Sequence, residues 1–184
     1  MTKTPLVALV LFAACGSDPV NYSAPVGIEL KVKSGEVTAT NALTPEKGIT
    51  TESGNPYGAF INDAKAKIGH DPSEIDLEMV TLTLGAQSTN VSGLEQVMTG
   101  DAYVSFLMND TNNTFVAAHF GSPTGIGPVD GHASFDWSQV GAPDVAKLLA
   151  GSFKVVLNAP AAADFSTKGA DAVLQLTFTF SAFE

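Results

Sequence analysis

The tightest constraint on this chain is a run of alternating residues near its C-terminus. Leu174, Leu176, Phe178 and Phe180 are interleaved with Gln175, Thr177, Thr179 and Ser181. A side-chain period of two places the large apolar groups on one face of a strand and the polar groups on the other. Such a segment must lie with one face on a core and the other in water, as in an antiparallel sheet. The same pattern stands near the N-terminus, where Val26, Ile28, Leu30 and Val32 alternate with Gly27, Glu29, Lys31 and Lys33. These two strands are strong enough to pair, which would bring the two ends of the domain together.

Shorter signals fill the interval. Ser34-Gly35 reads as a turn, residues 36–40 as a short partner strand, and residues 41–56 as a loop with Pro45, Gly48, Gly54 and Pro56. Residues 57–68 carry a helical stripe of Phe60, Ile61, Ala64 and Ile68, stopped by Gly69. In Glu74–Leu84 the apolar phase changes midway, from Ile75, Leu77 and Met79 to Val80, Leu82 and Leu84. A β-bulge or a strand passing between two sheets accounts for the change. Residues 94–98 read as a helical turn. Residues 101–108 and 114–120 read as strands flanking the turn formers of 109–113, and 121–131 as a loop rich in glycine and proline. After that loop Ala133, Phe135 and Trp137 alternate inward against His132, Ser134 and Asp136. A short helix follows at 143–150, and then a strand carrying Phe153, Val155 and Leu157. The expected fold is mostly β: a sandwich, open or jelly-roll or Ig-like, of about eight strands with two short helices. With 45% apolar and 15% charged residues the chain can build a core and is not a disordered polymer.

Charge excludes one class of partner. The chain carries 19 acidic residues against 9 basic ones, a net charge of −10, and every basic residue is lysine. An acidic surface repels phosphate backbones, and without arginine it lacks the bidentate fork that reads phosphate and base edges. Nucleic acid is therefore not an expected partner. Nor does such a surface draw the chain to anionic lipid, so membrane attachment needs a covalent or apolar device.

The N-terminus offers one. Lys3 precedes an apolar run at residues 6–14, too short to cross a bilayer as a helix but of signal-peptide length. The chain's single cysteine follows in Leu11-Phe12-Ala13-Ala14-Cys15-Gly16-Ser17. Ala13, Ala14, Cys15 and Gly16 resemble the lipobox of bacterial lipoproteins, with Phe12 standing where that motif usually has leucine. The resemblance covers the first seventeen or so residues and implies that residues 1–14 are removed and that Cys15 receives a diacylglyceryl anchor. Residues 15–25 would then be a lipidated tether, turn-rich through Asp18, Pro19 and Pro25, and residues 26–184 a single domain. Gly16 rather than aspartate after the cysteine implies the outer membrane, with the domain facing the periplasm or the exterior. The competing reading is a buried segment holding a core cysteine. With one cysteine no internal disulfide is available.

Two clusters are candidates for chemistry. His119 and His132 bracket the 121–131 loop and would stand opposite each other in a hairpin; with Asp130 or Asp136 they could bind a transition metal. Alternatively they are unrelated histidines at a sheet end, since two imidazoles do not complete a tetrahedral site. Glu74, Asp76 and Glu78 make an acidic stripe on one strand face, suited to calcium or to acid–base work on a glycan, or else a solvated face that discourages edge pairing. His70 beside Asp71 reads as a solvated cap. No nucleophile elbow, Ser-x-x-Lys, zinc-protease or paired-cysteine motif is present, and no cofactor is called for. The functional expectation is a lipid-anchored envelope protein, a non-enzymatic interaction or structural module whose partner is an envelope protein met through the loops at 41–56 and 121–131. The alternative is a metal- or ligand-binding lipoprotein or a small glycan-directed hydrolase.

Overall fold

A computed structural model of the chain describes residues 20–52 and 54–184. The expected signal segment, residues 1–14, and Cys15 lie outside the described residues. Within them the chain forms β1 (Asn21–Lys33), β2 (Ala42–Leu43), β3 (Glu46–Ile49), α1 (Pro56–Ile68), β4 (Glu74–Leu84), β5 (Ala102–Met108), β6 (Thr114–Phe120), β7 (Val129–Ala133), α2 (Ala142–Leu149), β8 (Phe153–Pro160) and β9 (Asp171–Phe183). The fold is mostly β, as expected. The strands do not divide into the two facing sheets of a sandwich. They form one antiparallel sheet in the order β1-β9-β4-β7-β6-β5-β8-β2, with β3 also paired to β8, curled into a half-barrel.

The expected pairing of the first and last strands is present along their whole length, from Asn21 opposite Phe183 to Lys33 opposite Asp171. The two ends of the described part meet where the Glu184 amide donates to the Val20 carbonyl at 3.2 Å. Residues 21–25 are thus strand rather than tether. Pro25 is tolerated because β1 is an edge strand, bonded on one side to β9 and free on the other. On its second side β9 pairs with β4, and the register slips between Leu77 and Met79. This bulge at Glu78 is the physical basis of the phase change in the sequence.

Two other regions depart from expectation. Residues 36–40 form no partner strand; a 3-10 turn covers Ser34–Glu36, and the 41–56 stretch contains β2 and β3. Their pattern was unreadable because β2 has two residues and Glu46-Lys47-Gly48-Ile49 buries only its last. The strand expected around 133–137 lies earlier, at β7. After Ala133 the chain leaves the sheet, and Phe135 and Trp137 pack on the core from a crossing segment.

The curled sheet wraps an aromatic core. Phe106 has the rings of Phe135, Phe153, Phe178 and Phe180 at centroid distances of 5.3, 5.3, 5.8 and 6.1 Å. Helix α1 seals the lower end, where β1 begins and β9 ends. It starts at an Asn55 cap whose side-chain oxygen accepts from the Tyr57 amide, and it stops at Gly69, whose φ of 94° suits glycine. The Tyr57 ring meets Phe153 and Phe180 edge-on, and its hydroxyl donates to the Leu148 carbonyl of α2 at 3.0 Å. Burial pushes the Tyr57 phenol well above its ordinary pKa, so it stays a neutral donor. No described helix is long and apolar enough to cross a membrane. Tyr57→Phe should cost about 1–2 kcal/mol through the orphaned carbonyl, and Tyr57→Ala about 3–5 kcal/mol through the cavity. Urea unfolding of the two variants checks this; equal losses would mean that the ring contributes no packing.

Candidate functional site

The register gives the domain two ends. The lower end holds Asn21, Glu74 and Phe183. The upper end holds Lys33, Leu84 and Asp171 with the loop at 121–128, and β1 spans roughly 40 Å between the two. The upper loop is tied down rather than free. The Leu84 amide donates to the Ile126 carbonyl at 2.7 Å, the Leu94 amide to the Gly125 carbonyl at 2.8 Å, and the Gly125 amide to the Glu95 carboxylate at 2.7 Å. Backbone hydrogen bonds from its own amide and that of Gly125 hold the Glu95 carboxyl below its usual pKa. Gly127 sits at φ 93° so close to β4 that a Cβ would fall 2.5 Å from the Leu82 carbonyl oxygen. On this braced loop Ile126 stands 61% exposed.

The two histidines are brought together as the sequence suggested. His119 of β6 is the register partner of His132 of β7. The same outward row continues through Tyr103 of β5 to Asn158 of β8. The His119 ring stacks on Tyr103 with centroids 4.8 Å apart and planes 23° apart. Its Nε2 is shielded from solvent and makes no hydrogen bond; the Asp101 carboxylate stands 3.4 Å away, an ion pair when the imidazole is protonated. Asp130 shares the outward face of β7 with His132 but pairs with Thr81 of β4. Asp136 lies beyond the strand and is engaged as a cap: it accepts from the Ser138 amide at 2.9 Å and the Ser138 hydroxyl at 2.6 Å. Those bonds hold its carboxyl below the ordinary range. Among the described residues no three of His, Cys, Asp and Glu are grouped so as to hold a metal ion.

The acidic stripe falls on the outward face of β4. Glu74 and Asp76 lie opposite Phe183 and Ser181 of β9, and Glu78, in the bulge, accepts from the Ser181 hydroxyl. All three belong to one strand, and their neighbours across the ladder are a hydroxyl and an aromatic ring rather than an opposing carboxylate. His70 sits after α1 with Nδ1 2.8 Å from the Asp71 carbonyl oxygen, while Asp71 pairs with Lys65 at 2.8 Å.

Two features escaped the sequence reading. Beside Tyr103 lies a groove of about 450 Å³ between β5 and the start of β2, lined by Asp101, Tyr103, Asn158, Pro160, Thr40 and Asn41. A signal for it existed: Tyr103 is an aromatic at an outward position of a strand whose inward face is Ala102, Val104, Phe106 and Met108. The second is Asp144, 3% exposed at the start of α2, which accepts from the Thr111 hydroxyl and the Asn113 amide, each at 2.7 Å. It fastens the 109–113 loop to the helix, and nothing in the local pattern marks it. No family model and no curated protein matches this chain.

The Asp144 bonds give a pH dependence. The Asn113 and Thr111 hydrogen bonds, with Lys147 adding to them, hold the Asp144 carboxyl below its ordinary pKa. The stability this contributes is complete above the unfolded carboxylate value of about 4 and is lost as pH falls through the lowered folded value. Thermal melts from pH 7 down to pH 2 should show Asp144→Asn less stable than wild type at neutral pH and converging on it in acid. A constant difference across the range would remove the assignment.

Proposed function

We propose that this chain is a lipid-anchored protein of the bacterial cell envelope that works as a non-enzymatic interaction module, with Cys15 as the anchor and the upper end of the half-barrel as the contact surface. The observation that carries this reading is the exposed Ile126 on a braced loop, at the end of the sheet opposite the start of β1. An apolar side chain held rigid in water costs little further ordering when a partner covers it. The anchor side rests on the lipobox-like residues Ala13 to Gly16 behind the apolar run at 6–14. With β1 beginning at Asn21, residues 15–20 reach at most about 20 Å. The lower end would then lie near the bilayer, in the outer membrane by the Gly16 criterion, and the upper end would point away from it. Confinement at a surface raises local concentration, so a weak contact suffices.

The second reading, a metal- or ligand-binding lipoprotein or a glycan-directed hydrolase, is favoured in its ligand-binding form alone. The groove beside Tyr103 supports that form, whereas the histidine pair and the acidic stripe lack converging partners.

The test is made in envelopes of a bacterial host. The N-terminal peptide of the wild type is expected to carry a diacylglyceryl mass that Cys15→Ala loses, together with its membrane fractionation. A photo-crosslinker at position 126 should trap one envelope partner, and one at position 23 should trap none. Absence of lipid mass would refute the anchor, and identical trapping at both positions would refute the contact surface.

A further inference from the structure

The groove beside Tyr103 is an amphipathic cleft with an ordered aromatic wall, and its chemistry selects among small ligands. Tyr103 is 44% exposed, at an outward position of β5. Its ring is braced on one side by the stacked His119, leaving the other to line the groove. The remaining walls divide by polarity. Pro160 and Ala159 continue the apolar surface of the ring, while the Asn158 amide and the Asp101 carboxylate, which also faces His119 Nε2 at 3.4 Å, supply hydrogen-bonding groups; the Thr40 hydroxyl is shared with that of Thr38 at 3.0 Å. Asn41 is spoken for, since its amide donates to the Ala161 carbonyl at 3.1 Å and thereby fixes the far wall. A volume of about 450 Å³ lies within the range of small-molecule sites.

Anions do not suit this place. No lysine lines the groove, the chain has no arginine, and the net charge is −10. A quaternary ammonium suits it poorly, because its recognition relies on a cage of several aromatic faces and one ring is present here. What the walls match is a neutral ring with an apolar face and a rim of hydroxyls. The C–H face lies on the tyrosine, and the hydroxyls donate to Asp101 and exchange bonds with Asn158, whose amide both gives and accepts.

We infer that the cleft formed by Tyr103, Asp101, Asn158 and Pro160 is a binding site for a neutral saccharide residue. The site lies on the upper end, where Ala102 opposes Phe120 and Ala42 opposes Pro160. It stands independently of the lipid anchor and of the contact at Ile126.

The experiment uses the full chain and amide chemical shifts. Glucose, galactose, mannose and N-acetylglucosamine, each as mono- and disaccharide, are titrated in turn, with tetramethylammonium and inorganic phosphate alongside. At least one saccharide is expected to move the amides of Asp101, Tyr103 and Asn158 in a saturable way while those of β1 and β4 stay still. Tyr103→Ala should weaken that binding about tenfold or more, Tyr103→Phe should retain it, and Asp101→Asn should weaken it with the melting temperature unchanged. The melting temperature of Tyr103→Ala is measured as well, because loss of the fold would move every resonance. No shift with any saccharide, equal binding by Tyr103→Ala and wild type, or tighter binding of tetramethylammonium or phosphate than of every sugar would each overturn the proposal.

Discussion

The ladder through β9 is the interaction on which the rest of the molecule depends. This strand is bonded to β1 over its full length and to β4 from Glu74 to Leu84, so its backbone groups are satisfied on both sides. Its inward face, Leu174, Leu176, Phe178 and Phe180, is at most 2% exposed. Each such side chain stabilises the fold by about 1.5–3 kcal/mol through burial. The same register determines where everything else stands. Pairing Asn21 with Phe183 puts both described ends at the lower edge, and pairing Lys33 with Asp171 leaves the opposite edge to carry loops.

Curling one sheet instead of stacking two has a consequence for surface chemistry. A sandwich hides one face of each sheet and leaves two outward faces, whereas here a single outward face runs from β1 to β8. Along it the row Asn158, Tyr103, His119, His132 crosses four strands, the consecutive β5, β6 and β7 and the more distant β8. Inward positions of the same strands are filled by Val104, Ala118 and Leu157, all 0% exposed. Shape is thus held by one face, and the other is free to carry recognition groups.

How much of this was legible follows from what each signal depends on. Strands with strict alternation were readable because burial on one face alone writes itself into the sequence at period two. The phase change in β4 was readable too, since a slip of one residue moves the apolar set to the opposite side, but the sequence alone left a bulge and a passage between two sheets open. The facing of His119 and His132 followed from their symmetric placement about a loop. Curvature was not legible: whether strands close into one sheet or two is decided by long-range pairing, and β8 takes β5 on one side and both β2 and β3 on the other. The Tyr103 groove and the Asp144 clip were hidden for the same reason. Their walls come from residues more than thirty positions apart, and no local pattern records them.

A lipidated chain whose β1 starts at Asn21 should hold its lower end at the bilayer and its upper end away from it, and this can be measured directly. Cys15 is the chain's sole cysteine and would be consumed by the lipid, so a single introduced cysteine can carry a fluorophore. With the protein in vesicles containing a headgroup quencher, a label at Ser23→Cys should be strongly quenched and one at Thr124→Cys scarcely at all. Equal quenching at the two sites, or stronger quenching at 124, would contradict the opposition of anchor and recognition end.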